Sequence, residues 1–404
     1  MFEPATVVLK PGRDKPIRNR HPWIFSGAVS RIEGEVQDGD LVRVTDRHGE
    51  FLAIGYLNRQ SQIVVRLLTW DPAEAVDRGY WRRRLERAFA GRAALGADST
   101  TNAYRLVYAE ADGLPGLVVD RYADWLVIQC LTLGMARHRD EIVSLLAEPS
   151  LYSAGDLPAV AGIYARDDAD VRAKEGLPLE TGTLWGAEPP DRVEIVEHGR
   201  RFQVDVKRGH KTGFYLDQRE NRWLVARYCA EADVLNAFAY TGGFGVYAGL
   251  AGARSVINVD TSVEALTLAE ENLALNGCAP QELLVGDVFQ VLRGYRDEGR
   301  SFDVLILDPP KFAASQSQVM AASRGYKDIN WLAMQLLRPG GLLVTFSCSG
   351  LVSADLFQKI LFGASVDAGR EVQILRHLAQ GADHPVLLTF PESAYLKGLV
   401  CRVW

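Results

Sequence analysis

Ala232-Asp233-Val234-Leu235-Asn236-Ala237-Phe238-Ala239-Tyr240-Thr241-Gly242-Gly243-Phe244-Gly245 runs from a short apolar stretch into a glycine-rich turn. Ala232 to Phe238 has the make-up of a buried strand, and Val246 to Leu250 begins a helix. Such a strand-to-helix turn lets a ligand approach the backbone closely, because glycine carries no side chain. The next apolar run, Ser255-Val256-Ile257-Asn258-Val259, ends in Asp260, whose carboxylate, about 17 residues past Gly243, suits the hydroxyls of a ribose. Thr261-Ser262-Val263-Glu264 has the form of a capping box with Thr261 as the cap, opening a helix that Asn276-Gly277 can end. Strand and helix patterns then alternate to the C-terminus, which predicts an α/β fold with a parallel, Rossmann-like sheet covered by helices.

Gly243-Phe244-Gly245-Val246-Tyr247-Ala248 also fits G-x-G-x-x-A, so nicotinamide or flavin chemistry competes for this turn. Two further strand ends favour S-adenosylmethionine. Gly286-Asp287-Val288-Phe289 follows the strand Leu283-Leu284-Val285 and offers Asp287 near an adenine, and Asp308-Pro309-Pro310-Lys311-Phe312 follows the strand Phe302 to Leu307. The plainer readings are Gly242 and Gly245 as turn residues and Asp287 as a helix cap. The two prolines fix a stiff lip with few polar hydrogens beside Asp308. Tyr326 to Leu337 predicts a helix, Arg338-Pro339-Gly340-Gly341 a turn, and Leu342 to Phe346 the next strand, with Ser347-Cys348-Ser349-Gly350 just past its end. Open α/β sheets gather ligands at the carboxyl ends of their strands, so Asp308 and Cys348 are expected to face one crevice.

A thiolate at that edge has a chemical use. Carbon 5 of a pyrimidine is a poor nucleophile until a thiolate adds to carbon 6, after which it can attack a sulfonium methyl group. Asp308 is the candidate for the N3/N4 edge of cytosine, and a base inside folded RNA must first be extruded. Cys130, Cys229, Cys278 and Cys401 are read as packing thiols. The five cysteines stand singly, which suggests neither a disulfide framework nor a metal site.

Upstream, Val7 to about Trp70 alternates short β-rich runs with Asp38-Gly39-Asp40 and His48-Gly49 turns and predicts a small β-barrel. Lys10, Arg13, Lys15, Arg18 and Arg20, with Trp23 among them, form a local basic patch suited to RNA in a chain whose net charge is −6. Tyr80 to Arg92 predicts a helix with Trp81, Leu85, Ala88 and Phe89 on one face. The segmentation expected is residues 1–72, a barrel; 73–188, a central α+β domain; and 189–404, the α/β domain. Neither a leader nor a run long enough to span a bilayer is read from the chain, so a soluble cytoplasmic protein is expected. A homodimer is left open.

Taken together these motifs resemble the RlmI-like family, bacterial S-adenosylmethionine-dependent cytosine-5 methyltransferases of 23S ribosomal RNA. The resemblance rests on Lys211-Thr212-Gly213-Phe214-Tyr215-Leu216-Asp217-Gln218-Arg219-Glu220-Asn221-Arg222 and on Phe238 to Phe244. His21-Pro22-Trp23-Ile24-Phe25 is similar to part of a PUA RNA-binding domain, and Glu110-Ala111-Asp112-Gly113-Leu114-Pro115-Gly116 to the family's central domain. The resemblance implies a class I methyltransferase sheet and large-subunit ribosomal RNA as partner. It also implies cofactor contacts from Tyr215, Asp217, Arg219, Phe238, Tyr240, Thr241, Gly242, Asp260, Asp287 and Asp308. Asp217 and Arg219 would hold the methionyl end, or else form an inter-strand salt bridge. Cys348 is the expected nucleophile, with Asp308 and Lys311 as catalytic partners. Other RNA cytosine-5 methyltransferases carry a second cysteine at the fourth strand, and Asp308-Pro309-Pro310-Lys311 has none, so product release falls to Asp308, Lys311 or water. Asn236 stands where many methyltransferases place an acid. The competing functions are methylation of guanine N7 or an exocyclic amine, which needs no thiol, and a catalytically silent RNA-binding assembly factor.

Overall fold

The computed structural model describes residues 5–153, 157–313 and 315–404. The chain forms two compact units: Met1–Val196 with Val204–Leu216 and Asp383–Ser393, and Glu197–Gln203 with Asp217–Ala382 and Ala394–Trp404. The segment Asp383–Ser393, expected within the C-terminal domain, packs in the first unit.

The first unit carries two sheets. In the N-terminal one, strands lie in the order Trp23–Phe25, Ile63–Thr69, Phe51–Leu57, Leu41–Thr45, Thr6–Leu9, Val29–Glu33. Alternation of inward apolar residues builds its core from Val7, Leu9, Val42, Val44, Ala53, Leu57, Val65 and Leu67. The second has five strands between Ala103 and Gly186. Against it lies the helix Arg78–Ala90, which buries Tyr80, Trp81, Leu85, Ala88 and Phe89 as the 3.6-residue spacing requires.

The second unit is the expected α/β layer. Its strands are β1 (Asp233–Ala237), β2 (Ser255–Asp260), β3 (Glu282–Val285), β4 (Phe302–Leu307), β5 (Leu337–Ser347), β6 (Val372–Ala379) and β7 (Lys397–Val403). Its helices are α1 (Arg219–Ala226), α2 (Gly243–Leu250), α3 (Val263–Leu275), α4 (Val288–Asp297), α5 (Val319–Leu336) and α6 (Ala354–Ala368). The spatial order is β3-β2-β1-β4-β5-β7-β6. β1 to β5 pair in parallel, whereas β7 runs antiparallel between β5 and β6. The order reverses between β1 and β4, and at such a switch point two diverging crossovers leave a crevice beyond the strand ends.

Two local expectations change. α5 begins at Val319 rather than Tyr326, and Arg338-Pro339-Gly340-Gly341 is drawn into β5, where the pairing with β4 shifts register. The bulge absorbs the proline, which has no N–H for a regular ladder. The cap of α3 is Ser262, one residue later than expected, its hydroxyl accepting the Ala265 N–H at 3.1 Å.

Candidate active site

Phe238 and Tyr240, at the end of β1, hold φ of 61° and 48°, and Gly242 follows at 76°. Left-handed non-glycine residues carry a strain of roughly 1–3 kcal/mol each, and they cluster where a ligand cradle over-determines the backbone. A Cβ at Gly242 would lie 2.9 Å from the Ala269 side chain, and one at Gly243 3.0 Å from Arg222 Cδ. Gly245 sits closer still to β2, its missing Cβ 2.3 Å from Asn258 Oδ1. Small residues therefore let α2 settle directly on the sheet, which aims its first turn over the switch point.

Asp260 is held from both sides: one oxygen accepts the Tyr240 N–H at 2.8 Å, the other the Ser262 N–H at 3.0 Å. Each oxygen keeps a second lone pair for a ribose hydroxyl. Asp217 Oδ1 and Thr241 Oγ1 are buried without a hydrogen-bond partner among the described residues. Buried polar atoms are nearly always paired, so this pair of orphans fits a ligand bearing an ammonium and hydroxyl groups. The other Asp217 oxygen accepts the Tyr395 hydroxyl. Arg219 is fully buried and pairs with Glu220 at 3.0 Å, and Phe238 packs against the core. Asp287 is exposed and caps α4 through the Gln290 N–H, which is the plainer of its two readings. Tyr215 lies in the first unit, its hydroxyl 3.3 Å from His210 Nδ1. Asn236 donates sideways to Asn258, which continues to Gln281 and the Gly245 carbonyl in a buried amide chain beneath α2.

Asp308 follows β4, its backbone N–H directed at the Ala237 carbonyl of β1. Burial, then the neighbouring Asp217 charge, push its carboxyl up to about 7 against a hydrogen bond from the Gln218 side chain. Gln218 is oriented for that role because its oxygen accepts from Asn221 at 2.6 Å. Behind these groups Arg222 forms a buried two-bond pair with Glu197, at 2.8 and 2.6 Å.

Cys348 lies just past β5, beside that lip. It is partly accessible between buried Ser347 and Ser349, and its sulfur lies 3.9 Å from the Pro309 carbonyl. Phe346, two residues earlier, meets Phe244 of α2 at 5.8 Å between ring centres. The thiol edge and the glycine turn thus share one face of the sheet end. Ser349 Oγ ties the cysteine loop to the lip through the Ala313 N–H at 3.3 Å and to α5 through the Tyr326 hydroxyl at 3.0 Å. Burial pushes the Cys229 and Cys401 thiols up to about 12 and raises Cys130 and Cys278. Lys311 is exposed beyond the second proline. Sequence reasoning missed Gln218, which bonds Asp308, and Tyr326 and Lys397, which bond the loop after Cys348, because each comes from an element whose register only the folded sheet fixes.

A PUA-like domain model matches residues 7–70, and a model of S-adenosylmethionine-dependent methyltransferases matches residues 123–399. The chain is 52% identical over 400 residues to the ribosomal RNA large subunit methyltransferase I of Shewanella amazonensis, covering 98% of this chain and 99% of that one. The chain belongs to the ribosomal RNA large subunit methyltransferase I family. A second member, from Klebsiella pneumoniae strain 342, is 49% identical over 98% of both chains. A solved structure described as a SAM-dependent methyltransferase from Streptococcus mutans shares the fold with a TM-score of 0.83 at 22% identity, covering 98% of this chain and 99% of that one. A methyltransferase crystallised with SAH superposes with a TM-score of 0.85 at 23% identity and 98% and 99% coverage. Membership of this methyltransferase family removes the nicotinamide reading of Gly243 to Ala248.

The family's PUA-like segment carries the basic patch read from the sequence, and its residues separate into two groups. Arg18 bonds Asp14, Asp46 and Glu50 at once, so its charge is already neutralised. Trp23 donates to Glu110 at 2.8 Å and packs on Phe390 at 4.6 Å. Lys10 reaches the Gly27 carbonyl and Arg20 lies over Trp70. Arg13 and Lys15 are exposed and, among the described residues, make no side-chain hydrogen bond or ion pair; Arg13 lines a cavity of about 390 Å³ with His21, Trp23 and the half-exposed Phe25. Trp23 is the ring selected from the sequence; Phe25 is the more exposed of the two, at 48%.

Proposed function

We propose that the chain methylates carbon 5 of a cytidine in large-subunit ribosomal RNA through a covalent Cys348 adduct. The observation that carries this reading is the partly accessible Cys348 sulfur, 3.9 Å from the Pro309 carbonyl at the crevice edge. The ribosomal substrate rests on the names of the relatives, which are full-length matches.

S-adenosylmethionine, when bound, supplies an electrophilic methyl group. Asp217, Thr241 and Asp260 are the residues for its polar groups, by their orphaned or backbone-fixed oxygens. The Cys348 thiolate adds to carbon 6 of the cytosine and raises electron density at carbon 5. Asp308 keeps its proton up to about pH 7 and donates it to the N3 edge, stabilising the charge that builds on the ring. After methylation the carbon 5 proton leaves to a base, for which Asp308, Lys311 and water are the candidates, and the sulfur–carbon 6 bond breaks. Arg13, Lys15 and Phe25 suit the RNA backbone and an unstacked base.

The test is Cys348→Ala assayed for transfer of tritiated methyl to unmethylated ribosomal RNA, with 5-fluorocytidine RNA as a trap for the wild type. Loss of transfer with retained S-adenosylhomocysteine binding, together with a trapped adduct, supports the reading. Undiminished transfer by the variant refutes it in favour of methylation at nitrogen.

A further inference from the structure

Lys397 opens β7 and pairs in register with Ser347, the last residue of β5. Its ammonium is drawn off the surface into the loop that follows Cys348. Nζ donates to the Ser349 carbonyl at 2.6 Å and the Val352 carbonyl at 2.6 Å, which leaves one of its three N–H bonds for another acceptor. Neither carbonyl carries a formal charge. Among the described residues no carboxylate pairs with Nζ, although drawing a lysine ammonium partly out of water without a counter-charge is costly. The groups that act on it electrostatically are the Cys348 sulfur, which favours the charged form, and Lys311, which opposes it. Burial dominates and pushes Lys397 down to about 8. On the far side of the loop the Tyr326 hydroxyl of α5 also senses Cys348 and bonds Ser349.

We infer that Lys397 is the positioning residue for the nucleophile: its half-buried ammonium is the counter-charge of the Cys348 thiolate and clamps the loop that presents the sulfur. The inference rests on Cys348 acting as a thiolate, the reading given above. In the step itself the Cys348 S–H bond breaks, its proton passes to water, and Lys397 stays protonated throughout. The ammonium acts on the thiolate through space, and the Ser349 and Val352 carbonyls hold it in place when the sulfur attacks carbon 6. The thiolate is thus stabilised before the base arrives, which is the preorganisation that nucleophilic catalysis needs.

The experiment is the pH dependence of iodoacetamide alkylation at Cys348 in the full chain, read by mass spectrometry of the peptide that contains it. An opposite charge nearby shifts a titration by roughly one unit or more, so Lys397→Gln is expected to slow alkylation about tenfold at pH 7 and displace the profile to higher pH. Lys397→Arg, which keeps the charge, is expected to restore most of the rate. S-adenosylhomocysteine binding and melting temperature establish that each variant is folded. A Lys397→Gln profile superimposable on that of the wild type overturns the inference. Should that variant not fold, the wild type alone decides: its alkylation midpoint must lie below that of the same cysteine in the urea-unfolded chain, and an equal or higher midpoint overturns the inference. The 5-fluorocytidine trap separates the two ideas. A Lys397-dependent profile without an adduct upholds the lysine's role and removes the cysteine's catalytic one, and an adduct with a Lys397-independent profile does the reverse.

Discussion

Replacing Asp308 by Asn removes a carboxyl that the fold holds protonated far above its ordinary range, and the effect on stability is set by pH. The group moves from 3.8 to about 7 on folding, mainly through burial and then through Asp217. The folded state binds this proton more tightly than the unfolded state. The stability it contributes is therefore complete below 3.8, falls as pH rises, and is wholly lost above about 7. At about 1.4 kcal/mol per unit, the loss between pH 5 and pH 8 is roughly 2.6 kcal/mol. Asp308 retains some contact with solvent, which screens the penalty, so about 1.3 kcal/mol is the expected difference. Asn has the same shape, cannot ionise, and gives Asp217 no like charge. Asp308→Asn should thus gain about 1.3 kcal/mol over the wild type on going from pH 5 to pH 8, while losing methyl transfer. Urea unfolding followed by tryptophan fluorescence at the two pH values measures this. The transition that S-adenosylhomocysteine displaces to higher urea is that of the unit containing Asp308, because a ligand stabilises only the state that binds it. Parallel pH dependence in the two proteins, or a variant that weakens relative to the wild type as pH rises, refutes the reasoning.

Asp217→Ala removes an orphaned acceptor and is expected to weaken S-adenosylmethionine binding at least tenfold by calorimetric titration, since a charged hydrogen bond contributes about 1.5–3 kcal/mol. Gly245→Ala forces a Cβ to within 2.3 Å of an Asn258 oxygen already fixed by Asn236, and should cost roughly 1–3 kcal/mol in thermal unfolding. Arg13→Ala and Lys15→Ala should each weaken RNA binding and lower the slope of log affinity against log salt by about one, whereas Arg18→Ala, already paired with three carboxylates, should leave that slope unchanged.

The β1 turn is legible in sequence because its evidence is local. Glycines at Gly242, Gly243 and Gly245 and an acid closing the next strand are required by backbone geometry within one supersecondary unit. Asp308 and Cys348 are legible for a related reason, since consecutive parallel strands place their ends together. Composition does not assign hydrogen-bond partners. Arg18 and Trp23 have the right composition for an RNA contact, yet Asp46, Glu50 and Glu110, distant in sequence, take up their hydrogen bonds. The Thr261 cap is off by one residue because Thr261 and Ser262 differ little as caps, and the strand end decides which hydroxyl faces the helix.

By itself the sequence determined the α/β class, the order of strands along the chain and the residue types at the crevice, because periodicity and turn chemistry act over a few residues. Tertiary structure alone decided the environment of each charge. Asp308 lies beside Asp217, and Lys397 reaches the Cys348 loop only because β7 inserts antiparallel between β5 and β6. Electrostatic energies depend on through-space distance and on exclusion of water, and neither is written in residue spacing.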